Sequence, residues 1–88
     1  EAVKWYRLAA GQGDGEAQNS LGVMYTNGEG VIQDYVLAYM WSNLAASNGS
    51  EKGSRHRDRV STLMTASKIS EAQDMAKDCL KKNYKKCY

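Results

Sequence analysis

The sequence has no proline, no phenylalanine and a single histidine among its 88 residues. No apolar run approaches the length of a membrane-spanning helix, so no membrane span is predicted. The net charge is only +2 and no arginine–aromatic interleaving accompanies it, which argues against a nucleic-acid partner. With no histidine or third cysteine near the two cysteines, neither a zinc site nor another metal centre is expected. A chain this short forms at most one small domain.

Two segments of the chain resemble one another at a spacing of thirty-six residues. The residues of the first copy recur in the second in this order: Ala2, Trp5, Leu8, Ala9, Ala10 and Gly13 become Ala38, Trp41, Leu44, Ala45, Ala46 and Gly49. A fixed period of this size is typical of repeat proteins built from stacked helical units.

The complete unit, residues 14–49, shows helical spacing twice. Its apolar residues are Ala17, Leu21, Met24 and Tyr25 in the first half and Ala38, Trp41 and Ala45 in the second. The glycines of Asn27-Gly28-Glu29-Gly30 end the first helix, and Asp34 can accept hydrogen bonds at the start of the second. We therefore expect an antiparallel helical hairpin.

Small residues in this unit fall where two helices must approach closely, and large aromatic residues fill the remaining space. The residues expected to hold the structure together are Trp5, Leu21, Gly22, Tyr25, Gly28, Gly30, Ala38, Trp41 and Ala45.

The pattern A-x-x-W-[YS]-x-L-A-A-x-[QN]-G, followed by A-Q-x-x-L-G-x-M-Y-x-x-G-x-G-V-x-x-D, resembles the Sel-1-like repeat, a relative of the tetratricopeptide repeat. The resemblance extends from Ala2 to Gly49. It implies an all-α fold, an α/α solenoid of antiparallel hairpins used as an adaptor or scaffold for a protein or peptide partner, here in a bacterial protein. Residues 1–13 are then the second helix of a truncated repeat, 14–49 a complete repeat, and 50–88 a degenerate repeat with a C-terminal cap.

The last segment loses the repeat pattern but keeps helical spacing. Val60, Leu63 and Met64 predict a helix from about Glu51 to Met64. A closing helix should follow, capped by Thr65 or Ser67, with an apolar stripe made of Ile69, Ala72, Ala76 and Leu80. The chain would then contain about five helices.

Cys79 and Cys87 are eight residues apart. On one unbroken helix their α-carbons would lie about 12 Å apart, beyond the reach of a disulfide. A bridge requires the helix to end near Asn83 and the chain to turn back. We expect a disulfide, with two unpaired thiols as the alternative. If the bridge forms, the protein works in an oxidising compartment, either periplasmic or secreted.

The resemblance also suggests where a partner would bind. The first helix of the complete repeat, from Glu16 to Tyr25, should face the groove of the solenoid. The candidate groove residues are Gln18, Asn19, Val23 and Thr26.

The sequence leaves two alternatives to an interaction module, an enzyme and a purely architectural element. Some members of the family are associated with β-lactam binding or hydrolysis, yet the nearest string, Thr65-Ala66-Ser67-Lys68, puts threonine in the nucleophile position and Lys-Thr-Gly is absent. His56, among arginines, is interpreted as a surface histidine rather than a catalytic base. No enzyme activity and no cofactor are predicted. The second alternative is a purely architectural cap.

The N-terminal helix carries apolar residues that lack a covering neighbour in this sequence: Val3, Trp5, Tyr6, Leu8 and Ala9. Because a repeat stacks on both sides, we expect this face to be covered either by upstream repeats of a longer protein or by self-association.

Overall fold

Five helices joined by short turns make up the computed structural model, which describes residues 2–85 and 87. The helices are α1 Ala2–Ala10, α2 Gly15–Asn27, α3 Tyr35–Ser47, α4 Glu51–Ser61 and α5 Ala66–Lys81. None of the described residues lies in a strand. The predicted all-α fold of helical hairpins is confirmed.

Each of the last four helices begins at a side chain that accepts hydrogen bonds from its first turn. The capping residues are Asp14 for α2, Asp34 for α3, Ser50 for α4 and Thr65 for α5. Such a cap stabilises a helix by about 1 kcal/mol because it satisfies backbone N–H groups that have no partner within the helix. The sequence therefore fixes where these helices start.

Helix α2 ends at Gly28, which has the left-handed backbone conformation (φ 69°) and donates its N–H to the carbonyl of Met24. Gly30 in the same turn also has positive φ, 73°. Glycine adopts this conformation without the steric penalty that a Cβ brings, so the turn can reverse the chain within a few residues.

Helix α3 lies at the centre of the molecule and packs against α2, α4 and α5, while α2 packs against α1, α3 and α4. Helices α2 and α4 thus form an inner layer, and α1, α3 and α5 form an outer one. The largest fully buried side chains, which come mainly from α2 and α3, are Trp41, Leu21, Met40, Leu44, Gln18, Val60, Cys79 and Ser42.

The two layers approach most closely at glycines of the inner helices. A Cβ at Gly22 of α2 would collide with the hydroxyl of Ser42 and lie 3.2 Å from the carbonyl oxygen of Ala38. A Cβ at Gly53 of α4 would lie 2.6 Å from the Cβ of Ala45. Small residues on both sides therefore let α3 contact α2 and α4 at short range.

The two repeated tryptophans have different surroundings. Trp41 on α3 is 1 % exposed, whereas Trp5 on α1 is 71 % exposed. Trp5 is therefore not among the side chains that hold this chain together, and its exposure agrees with the uncovered N-terminal face expected from the sequence. The reason is that α3 lies between three other helices, while α1 packs mainly against α2.

Two predictions for the last segment also need correction. Helix α4 ends at Ser61 rather than Met64, because residues 62–64 continue as a turn before the Thr65 cap. The buried side of α5 consists of Ala72, Ala76 and Cys79, and Leu80 is 45 % exposed. Leu80 lies about 100° further around the helix than Cys79, outside the narrow face that meets α3.

Cys79 and Cys87 are joined by a disulfide, with their α-carbons 5.5 Å apart. Helix α5 ends at Lys81, and Asn83 and Tyr84 both have positive φ (54° and 64°), which turns the chain back. The Tyr84 ring reaches Gly13, and its hydroxyl accepts a hydrogen bond from Asn48. The tail is thereby attached to the turns that precede α2 and follow α3.

Candidate functional site

The inner layer carries a shallow depression between α2 and α4. Its volume is about 210 Å³, and it is lined by Asn19, Val23, Lys52, Arg55, His56 and Arg59. Both lining helices start at matching positions of the repeat, since their caps, Asp14 and Ser50, lie thirty-six residues apart. We call this depression the inner groove.

Three of the four predicted groove residues lie at or beside the inner groove. Asn19 and Val23 line it and are half-buried. Thr26 sits one turn further along α2, where its hydroxyl donates to the carbonyl of Gly22 (2.8 Å) and lies 2.8 Å from Nε2 of His56. Thr26 thus joins the two helices that form the groove.

The placement of Gln18 in the groove is wrong, because this side chain is 0 % exposed. It donates to the carbonyl of Ala10 at 3.1 Å and accepts from Asn48 at 2.9 Å. Its amide joins the end of α1, helix α2 and the end of α3, so its role is internal. A buried amide lowers the stability of the protein unless both its nitrogen and its oxygen are hydrogen-bonded, as they are here.

His56 is half-buried between the helices rather than being a surface histidine. The Thr26 hydroxyl lies between the carbonyl of Gly22 and Nε2 of His56, and the tautomer of the ring sets which group donates in the Thr26–His56 contact. Burial lowers the pKa of His56 from its usual 6.5, the positive charge of Arg59 lowers it further, and a hydrogen bond to the backbone of Gly22 opposes both. The imidazole is therefore neutral at pH 7.

The basic side chains of the groove were missed as candidates. The signal lay in the repeat period: shifting the groove positions Asn19 and Val23 of α2 by thirty-six residues leads to Arg55 and Arg59 on α4.

A second depression, of about 480 Å³, lies in the outer layer between α3 and α5. Its lining residues are Leu37, Met40, Glu71, Asp74, Met75, Asp78, Cys79, Lys82 and Cys87. Two of its three acids are paired, Asp78 with Lys82 at 2.9 Å and Glu71 with Lys68 at 3.5 Å. This leaves its rim with little charge to attract a ligand.

The residues considered for catalysis have structural roles. Thr65 is the cap of α5 and accepts from the N–H of Lys68, while Lys68 pairs with Glu71. His56 contacts the Thr26 hydroxyl, which is itself held by the carbonyl of Gly22 at 2.8 Å. Within residues 2–85 and 87, no three His, Cys, Asp or Glu side chains are grouped closely enough to hold a metal ion.

None of the helices in the described part of the chain combines the length and the apolar character that crossing a bilayer demands.

Stacked antiparallel helix pairs with a groove on the inner layer define a helical repeat protein. The model of the Sel1 repeat matches residues 1–14 and 15–50, which is more than half of the chain. The chain belongs to the Sel1 repeat family, whose repeats are generally protein-interaction modules. A search of curated proteins found no match to this chain.

Proposed function

We propose that this chain binds a partner protein through the inner groove between α2 and α4. The observation that carries the proposal is that successive inner helices lie side by side, so that residues of both line one depression. In stacked helical repeats, the concave side formed by such helices is suited to hold a peptide or a helix of a partner.

Helix α2 has one side that packs in the core and another that lines the groove, and this arrangement supports the proposal. Its packing side, with Leu21, Gly22 and Tyr25, is buried in the protein. Its groove side presents Asn19 and Val23, which are half-exposed and line the inner groove. Partly exposed side chains that line a depression are suited to contact a partner.

Residues 50–88 are, in this proposal, a degenerate repeat that also closes the array. Ser50 caps α4 at the position where Asp14 caps α2, which supports descent of both from one unit. Helix α5 turns an exposed polar side outward, including Glu71, Asp74 and Lys77. A terminal repeat needs such a surface because no further repeat covers it.

The outer face of α1 is a second place for association. Trp5 and Leu8 are exposed large apolar residues there, and we expect further repeats or a second copy of the chain to cover them. Sedimentation at increasing concentration distinguishes these two. A dimer that Trp5→Ala disrupts supports self-association, and a monomer at every concentration excludes it.

The Cys79–Cys87 disulfide supports the proposal that the protein is located in an oxidising compartment, because cytosolic reductants keep most thiols reduced.

The experiment that tests the groove is copurification of the natural protein with its partners. Asn19→Ala with Val23→Ala should reduce the amount of a specific partner while the circular dichroism spectrum stays unchanged. The matched control is Ser70→Ala with Lys77→Ala, two exposed positions on α5. If the groove variant retains every partner that the control retains, the groove is not the binding surface.

A further inference from the structure

We propose that the inner groove recognises an acidic segment of the partner protein, in extended conformation, through Lys52, Arg55 and Arg59. This inference rests on the proposed function and adds the chemistry of the ligand. It starts from the charge of the groove: four of its six lining residues are Lys, Arg or His, and none is acidic.

The basic residues occupy one side of α4 and correspond to neutral or acidic residues of α2. The pairs separated by thirty-six residues are Glu16 and Lys52, Asn19 and Arg55, Ser20 and His56, and Val23 and Arg59. The family pattern and helix packing do not require this difference, since Lys52, Arg55 and Arg59 are all exposed. The positive charge is therefore a property of the second unit's groove face.

None of these three cations forms an ion pair with another described residue. The ion pairs among residues 2–85 and 87 join Arg57 to Asp58, Lys68 to Glu71 and Lys82 to Asp78, and none includes a groove cation. Arg57, on another side of α4, also donates to Asn43 and so points away from the groove. Like charges at positions i and i+4 of a helix repel one another, so an anion in the groove relieves the repulsion between Arg55 and Arg59.

The spacing of the cations suits an extended chain. Lys52 and Arg59 are separated by about 10 Å along the axis of α4, at about 1.5 Å per residue. Side chains two residues apart on one side of an extended segment lie about 7 Å apart. Two or three carboxylates distributed along such a segment can therefore each meet a cation of this row.

The neutral side chains of the groove add no charge that would oppose an acidic ligand. Asn19 and Val23 line the groove beside the cations and are uncharged. His56 contributes no charge at pH 7, because burial lowers its pKa, and its ring is held by Thr26.

A nucleic acid is the competing anion. In the part of the chain that the structure describes, no aromatic side chain on which a base could stack lines the inner groove, and the net charge of the chain is only +2. The observations therefore favour a protein ligand, and the test includes an oligonucleotide.

The test is a titration of the isotope-labelled chain, followed by NMR, with a capped deca-glutamate peptide, a neutral glycine–serine decamer and deca-thymidylate. We expect saturable shifts at Asn19, Val23, Arg55 and Arg59 with deca-glutamate alone, weakening as salt is added. Arg55→Glu with Arg59→Glu should weaken binding at least about tenfold. The control, Lys77→Glu with Lys81→Glu, changes the net charge equally on exposed positions of α5 and should change affinity less than about twofold.

Each outcome decides a separate point. Absence of saturable binding to deca-glutamate, equal loss in both charge-reversal variants, or tighter binding of deca-thymidylate overturns the inference. If the charge reversal perturbs folding, the neutral variant Arg55→Gln with Arg59→Gln replaces it and should also weaken the binding of deca-glutamate. If deca-glutamate fails while Asn19→Ala with Val23→Ala still removes a partner, the proposed function stands and only the acidic ligand is refuted. If deca-glutamate binds but that variant retains every partner, the proposed function fails instead.

Discussion

The two hairpins, α2–α3 and α4–α5, share a backbone plan but are stabilised differently. In the first, α2 buries five residues and α3 buries seven, including Leu21, Tyr25 and Trp41. In the second, α4 buries only Gly53 and Val60, and α5 buries Ala72, Ala76 and Cys79. The second hairpin packs on the first through small residues and has a disulfide at its end.

This difference shows how one repeat can change its surface without losing its fold. Helix α4 needs a cap, a glycine at the contact with α3 and one apolar anchor. Its other positions are then free to carry lysine and arginine into the inner groove. The first hairpin provides most of the core, and the second provides most of the groove's charge.

The largest expected effect is that of Trp41→Ala in the first hairpin. It should lower the free energy of unfolding by about 3–5 kcal/mol, because a fully buried indole leaves a cavity. Trp5→Ala, at the equivalent position of the truncated repeat, should change it by less than about 0.5 kcal/mol, since this side chain is exposed. Urea unfolding followed by circular dichroism measures both, and equal losses would contradict the difference in burial.

Removing the disulfide should affect the second hairpin. Cys79→Ala with Cys87→Ser is expected to cost about 2–3 kcal/mol, the effect of opening a loop of about nine residues in the unfolded chain. Amide hydrogen exchange should accelerate in α5 while α2 keeps its protection. Treating the unmodified protein with a reductant is the control and should reproduce the change. Free thiols in the untreated protein would contradict the assignment.

Gly22→Ala tests the close contact between α2 and α3. The new methyl group meets the Ser42 hydroxyl, so we expect a loss of about 1–3 kcal/mol from overpacking. Adding Ser42→Ala should restore part of that loss, and a double-mutant cycle measures the coupling. Ser20→Ala, on a different side of α2, is the control. Strict additivity of the Gly22 and Ser42 changes would show that these residues do not meet.

The smallest effect concerns pH. The pKa of His56 is lowered in the folded chain, so the unfolded chain binds more protons between that value and 6.5. The contribution of His56 is complete above pH 6.5 and is lost as the pH falls through the lowered pKa. The melting temperature should therefore fall slightly over this interval. His56 is the only histidine, and His56→Gln should remove this part of the pH dependence. An unchanged profile in the variant would contradict the assignment.

In both hairpins, capping residues of the helices could be predicted from the sequence, whereas the burial of some side chains could not. The caps Asp34 and Thr65 and the end of α2 at Gly28 follow from local chemistry, and these predictions are confirmed. The fold class followed from the repeat and is confirmed as well.

Burial was harder to predict because it depends on which helices stack. The repeat gives Trp5 and Trp41 the same position, yet only one has helices on every side. Gln18 has the polar character of a surface residue, but its hydrogen bonds to Ala10 and Asn48 come from segments that meet only in the folded chain. The groove cations were predictable in principle, by applying the repeat period to exposed positions as well as to apolar ones.

The groove assignment is tested most directly by a photo-crosslinking residue placed at defined positions of the natural protein with its copurified partner. The account predicts crosslinks from positions 23 and 55, which line the inner groove, and none from position 77 on α5. Crosslinks from position 77 with none from 23 or 55 would show that the partner binds the outer layer, and would contradict the proposed function.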